Sequence, residues 1–248
     1  MERLRYISSQ LYLEEEGGVS VIGVYDRTVV LTYLSLASAV CGCIISAAGT
    51  GHPYLGGFFL LFCGLCDTFD GIVARSKKDR TDRELAFGAQ IDSLSDLVAF
   101  GILPSAIAVG LLAHDGIQII PIPVQSWMGV LSTVGFLAIV LFYCLAALIR
   151  LAYFNVLDEE RRHSGDTGPK YFVGLPVTSA ALVFPVILLM NYFIPRDLSL
   201  LYTALMVVAA FLFLGSFRIR RPSGKLVALM LVFGGIEFVL LLLFVFFR

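Results

Sequence analysis

An all-α polytopic membrane helical bundle of six to seven transmembrane helices is predicted for this chain, on three observations. Hydrophobic residues make up 58% of its 248 residues and charged ones only 15%, with a mean hydropathy of +0.87. Apolar runs of about 20 residues, the length that crosses the hydrocarbon core, recur at 28–49, 54–75, 86–112, 127–155, 171–193, 198–217 and 225–247. Of the 18 Lys and Arg, all but Arg196 and Arg248 fall on one side of the resulting topology. The positive-inside rule makes that side cytoplasmic and places the N-terminus there.

Residues 1–27 form a cytoplasmic or interfacial N-terminal segment. Leu4, Ile7 and Leu11, flanked by Arg3 and Arg5, suit either a short interfacial helix or a frayed tail, and Glu14-Glu15-Glu16-Gly17-Gly18 ends any helix there. The segment lacks the uninterrupted apolar core of a cleavable leader. Residues 28–225 carry six spans as one membrane domain, and 226–248 add a C-terminal helix interrupted by Gly234, Gly235 and Glu237. Trp127 anchors the start of the fourth span at the interface. Cys63 and Cys66 form a C-x-x-C inside an apolar span with no second pair and no nearby histidine. They are expected to pack as small buried hydrophobes rather than hold zinc. His52, His114 and His163 fall in loops. Glu237 is expected to play a structural role, paired to a polar neighbour or at a subunit contact. A net charge of −1 and no basic aromatic surface give no reason to propose nucleic acid, and there is no internal repeat.

Two segments break the apolar pattern in a way that points to chemistry. Asp67, Asp70, Gly71 and Ala74 fall at i, i+3, i+4 and i+7, and Gly88, Asp92 and Asp96 at i, i+4 and i+8, so each set lies on one helical stripe. A charged side chain near the bilayer centre costs about 2.5 to 3.5 kcal/mol on insertion scales, so four acids require compensating positive charge or water. Facing stripes in an antiparallel hairpin would converge oxygen ligands from two rigid walls, the setting Mg²⁺ or Mn²⁺ prefers. Gly71, Ala74 and Gly88 leave both stripes bare, which suits either close helix packing or a ligand touching backbone.

The pattern Asp67-x-x-Asp70-Gly71-x-x-Ala74-Arg75, then Gly88-x-x-x-Asp92-x-x-x-Asp96, resembles the signature of the CDP-alcohol phosphatidyltransferases, integral membrane enzymes of phospholipid synthesis. IDSLSDLVAFGILPS, LIRLAYFN at 148–155, YFVGLP at 171–176 and SFRIRRPSGK at 216–225 are similar to the phosphatidylserine synthase branch. Twelve residues, Ser76 to Phe87, separate Arg75 from Gly88, a longer spacing than is usual in the family. They fall in a cytoplasmic loop, where insertion costs little. The serine branch commonly has arginine where Ile72 and Tyr153 stand and proline where Thr178 stands.

The resemblance implies that Asp67, Asp70 and Asp92, helped by Asp96, bind Mg²⁺ or Mn²⁺, that Asp96 is the general base, and that Gly71, Ala74, Arg75 and Gly88 form the CDP site. It implies transfer of the phosphatidyl group of CDP-diacylglycerol to L-serine, giving phosphatidylserine and CMP, by a homodimer in the cytoplasmic membrane with its active site facing the cytoplasm. Arg150 and Asn155 are the expected acceptor-binding residues. Arg150 and Lys170 equally suit a phosphorylated acceptor such as glycerol 3-phosphate or an inositol phosphate. A metal or ion transporter is the alternative of another class, but transporter sites usually lie at the midplane between repeats.

Overall fold

The computed structural model describes residues 23, 25, 28–48, 52–76, 81–114, 127–164, 171–193, 198–220 and 224–247. The interfacial segment expected around Leu4, Ile7 and Leu11, and Lys77–Arg80 of the long loop, lie outside them. The described helices are α1 (Val30–Ala47), α2 (Pro53–Ser76), α3 (Asp82–Asp96), α4 (Leu103–His114), α5 (Trp127–Ser164), α6 (Ala180–Phe193), α7 (Ser199–Leu214) and α8 (Gly224–Phe247). Residues Leu97–Ile102 join α3 to α4 as a π-helical segment, so the two form one continuous span. Each of the seven expected spans therefore has its helix. Four stretches among the described residues are long and apolar enough to cross a membrane: Val30–Ala47, Asp82–Ala113, Trp127–Arg161 and Gly224–Leu243. Val177–Met190 and Ser199–Leu214 are shorter apolar helices.

The first helix turns a face of small and hydroxyl-bearing residues inward. On α1 the buried residues are Thr32, Ser35, Ser38, Ala39, Gly42 and Ser46, whereas Val30, Leu34, Val40 and Ile44 are exposed. Lipid tails are as apolar as Leu, so helices associate through close packing of small residues and through hydrogen bonds. Gly110 shows how close: a Cβ there would run into the Ser46 carbonyl. Helix α2 is central, packing on α1, α4, α6 and α8. Its Cys63 and Cys66 are buried free thiols, Cys63 donating to the Ser35 carbonyl at 3.3 Å. Trp127 is exposed at the start of α5. Glu237, on α8, is 2% exposed, and neither carboxyl oxygen has a hydrogen-bond partner among the described residues. The polar neighbour expected for it is not found there.

Helix α3 starts at a capping box: the Thr81 hydroxyl accepts from the Glu84 N–H, and Glu84 accepts from the Thr81 N–H at 2.8 Å. The π segment that follows was not foreseen. Pro104, just past it, has no N–H to offer the Phe100 carbonyl that an ordinary α turn would pair with it. The Leu103 N–H reaches back five residues to the Val98 carbonyl, and side-chain hydroxyls donate to carbonyls in and beside the segment. Tyr143 on α5 donates to the Phe100 carbonyl at 2.7 Å, Ser105 to Gly101 at 3.1 Å, and Tyr202 on α7 to Pro104 at 3.1 Å. Tyr143, Phe184, Tyr202 and Phe213 stack around these bonds with ring centroids 4.8 to 5.7 Å apart.

The entrance to the fifth span also differs from expectation. Residues Tyr171–Val173 form a strand, β1, antiparallel to β2 (Arg218–Arg220), with Phe172 opposite Ile219. The helix is delayed to a 3-10 turn at Val177–Ser179 because Gly174 adopts φ +72° and Pro176 an extended conformation. Helix α5 in turn runs to Ser164, nine residues past the expected end, and its 38 residues span about 57 Å at 1.5 Å each. Its last turns, with Asp158, Glu159, Glu160 and Arg161, overhang a core about 30 Å thick.

Replacing Tyr143 with Phe is expected to lower stability by about 1 kcal/mol, because the Phe100 carbonyl is left buried without a donor. Pro104→Ala restores an amide one turn after Phe100, so thermal unfolding of the double variant in detergent should recover part of that loss.

Candidate metal and substrate site

The hairpin of α2 and α3 sets the acids against one another. Asp67 and Asp70 lie on α2 and Asp92 on α3, and one carboxylate oxygen from each falls within 4.8 Å of the others. Asp96, one turn beyond Asp92, is 8% exposed and close enough to interact electrostatically with all three. The two stripes read from the sequence thus face each other. Gly71 and Gly88 sit on those stripes, both half-buried. Ala74 and Arg75 continue α2, but their side chains lie outside what the structure describes.

Like charges at this spacing repel strongly. At 4.8 Å and an effective dielectric of about 20, each pair of ionised carboxylates costs about 3.5 kcal/mol. The donor set, hard oxygens from two rigid helices, fits a divalent cation such as Mg²⁺ or Mn²⁺ and does not fit a soft metal that prefers thiolate.

Hydroxyls that the sequence reading passed over support the acids. Thr32 of α1 donates to Asp70 Oδ2 at 3.3 Å, and Ser95 of α3 donates to the Thr32 carbonyl at 3.2 Å. Ser93 of α3 donates to Asn155 Oδ1 of α5 at 2.9 Å, which ties an expected acceptor residue to the acid-bearing helix. The missed signal was present in the sequence: Thr32, Ser35 and Ser38 recur at three-residue intervals in an otherwise apolar helix, and Ser93 and Ser95 alternate with the acids.

Arg150 is buried, 6% exposed, on α5. Its Nε donates to the Leu175 carbonyl at 3.3 Å, and its guanidinium carbon lies 5.6 Å from the Phe154 ring centroid. The partner is presented by the corner after β1. Gly174 N–H donates to the Phe217 carbonyl at 2.7 Å and Leu175 N–H to the Leu212 carbonyl at 3.1 Å, so the exit of α7 holds the entrance of α6. At Gly174 a Cβ would stand 2.7 Å from the Gly215 carbonyl oxygen and 3.5 Å from Arg150 Nε. A built corner thus fixes the Arg150 side chain.

Fold and site together define a polytopic α-helical membrane protein with a carboxylate cluster suited to a divalent cation between two of its helices. The family model of CDP-alcohol phosphatidyltransferase matches residues 28–244, and the chain belongs to that family. It is similar to proteins called CDP-diacylglycerol–serine O-phosphatidyltransferase in Saccharomyces cerevisiae, 33% identical over 162 residues, and in Methanocaldococcus jannaschii, 29% identical over 156. These matches cover 64% and 62% of this chain, which spans 51% and 61% of those proteins. An archaetidylserine synthase of Methanothermobacter thermautotrophicus is 30% identical over 194 residues, 78% of this chain and 69% of the relative.

Gly174→Ala is expected to cost at least about 1 kcal/mol, the penalty of placing an L side chain at this left-handed φ, before the clash with Gly215 adds to it. Thermal unfolding of the purified variant measures the loss.

Proposed function

We propose that this chain transfers the phosphatidyl group of CDP-diacylglycerol to the hydroxyl of L-serine, releasing phosphatidylserine and CMP. The convergence of Asp67, Asp70 and Asp92 within 4.8 Å on a helical hairpin carries the reading. These three acids, with Asp96, are the residues that would hold Mg²⁺ or Mn²⁺. A cation bound there supplies charge neutralisation for the nonbridging and leaving oxygens of the pyrophosphate.

The remaining chemistry falls to side chains and backbone. Gly71, Ala74 and Gly88 line the CDP moiety, where the absence of bulk admits the nucleotide, and Arg75 contacts its phosphates. The serine hydroxyl oxygen attacks the phosphatidyl phosphorus, forming one P–O bond as the bond to the CMP phosphate oxygen breaks. Asp96 takes the hydroxyl proton as general base. Arg150 grips the serine carboxylate through parallel hydrogen bonds from its guanidinium, and Asn155 donates from its amide. Its Ser93 partner supports that orientation, since the amide oxygen is already engaged.

The site faces the cytoplasm from the cytoplasmic membrane, a reading that the positive-inside distribution supports for its orientation; serine is soluble on that side and the lipid donor arrives laterally. The protein acts as a homodimer, an assignment that the family resemblance supports.

Purified protein supplied with CDP-diacylglycerol should release CMP with serine and not with glycerol 3-phosphate or an inositol phosphate. Consumption of a phosphorylated alcohol instead would make Arg150 a phosphate ligand and overturn the serine assignment. Metal flux into proteoliposomes without CMP release would favour a transporter. Asp67→Asn, Asp70→Asn, Asp92→Asn and Asp96→Asn are each expected to lower turnover at least about a hundredfold while leaving membrane insertion intact. Asp96→Asn should keep metal binding; loss of both would make Asp96 chiefly a ligand. Arg150→Lys should raise the KM for serine about tenfold, or about 1.4 kcal/mol, because an ammonium cannot reproduce the two-pronged contact. The KM for CDP-diacylglycerol should barely change.

A further inference from the structure

The first helix contributes no acid, yet it makes two contacts that bear directly on the carboxylate cluster. Thr32 is 4% exposed, and its hydroxyl donates to Asp70 Oδ2 at 3.3 Å. The ionised carboxylate accepts, and the hydroxyl is the donor. The carbonyl of the same residue accepts from the Ser95 hydroxyl at 3.2 Å, and Ser95, 2% exposed, sits between Asp92 and Asp96 on α3. One residue therefore touches a carboxylate of α2 through its side chain and the acid-bearing turn of α3 through its backbone. Both contacts are buried, where water does not compete for them.

We propose that Thr32 is a positioning residue for the metal-binding carboxylates, its hydroxyl holding Asp70 in the rotamer that faces Asp92 while its carbonyl sets the height of α3. The proposal rests on the reading of Asp67, Asp70 and Asp92 as metal ligands given above. Its physical basis is rotational freedom. An Asp on a rigid helix still turns about two side-chain bonds, and a donor on one oxygen removes that freedom before the cation arrives. Hydrogen-bonded partners of ligating carboxylates commonly change metal affinity by ten- to a hundredfold when lost. Valine has nearly the shape of threonine without the hydroxyl, and serine keeps the hydroxyl without the methyl. The pair separates donation from packing.

The test uses the full chain in lipid nanodiscs without lipid donor or acceptor, with Mn²⁺ titrated and the free ion followed by electron paramagnetic resonance. Thr32→Val should raise the Kd for Mn²⁺ about tenfold, and Thr32→Ser should stay close to wild type. In an Asp70→Asn background Thr32→Val should change the Kd no further, because the bond it removes is already altered. Thermal unfolding of the metal-free proteins supplies the second readout: affinity should follow the hydroxyl, not the melting temperature. Wild-type binding with an unchanged Kd in Thr32→Val overturns this proposal alone. So does a loss in Thr32→Ser equal to that in Thr32→Val, or a loss of affinity that merely tracks metal-free stability across the Val and Ser variants. Failure of the wild type to bind Mn²⁺ would overturn the metal reading and this proposal together.

Discussion

Keeping four carboxylates inside a helical membrane bundle constrains everything else in this structure. The repulsion between two ionised acids at this spacing is comparable with the free energy of many helix contacts, and it must be met without opening the bundle to lipid. The architecture meets it by dividing the acids between the central helix α2 and α3, which follows it in the chain. Serine and threonine side chains then occupy positions where an ordinary membrane helix would present alanine or glycine. Thr32 and Ser95 bring hydroxyls to the seam between α1, α2 and α3, and the lipid face of α1 stays apolar through Val30, Leu34, Val40 and Ile44.

A second constraint operates where the chain re-enters the membrane at α6. Backbone that is neither helical nor solvated must find partners. The short β1–β2 ladder supplies them, continued by the bonds of Gly174 and Leu175 to Phe217 and Leu212. The corner that results presents a carbonyl to a buried arginine, and Phe154 flanks that guanidinium from the same helix. Satisfying the backbone and fixing the arginine are one piece of geometry.

The sequence showed most of this framework because membrane physics writes it in long runs. Span length and helical periodicity located every described transmembrane helix, and the stripes of Asp67, Asp70 and Asp92 were legible because a charge in an apolar segment has few reasons to be there. What it concealed depends on interactions between distant segments. A strand at Tyr171–Val173 reads as helix until Arg218–Arg220 is placed beside it. The hydroxyls of Tyr143 and Tyr202 reach the Phe100 and Pro104 carbonyls from 43 and 98 residues away, and no local pattern announces either bond. Thr32 gives no local signal because its partners lie 38 and 63 residues away.

The π segment also limits how this chain can change length. A π turn carries one residue more than the α turn it replaces, and each helical residue turns the axis by about 100°. Losing one residue anywhere in Leu97–Ile102 would let the helix run on as a regular α-helix, but everything beyond it would keep the orientation it now has relative to Asp96. An insertion or deletion a few residues to either side, without that slack, would swing α4 off its neighbours. Relatives whose spans differ in length by one residue here are therefore expected to carry the gap within this segment, inside a transmembrane helix rather than in a loop. Alignment rules that confine gaps to loops would misplace it and shift either the acids or the α4 core by one position.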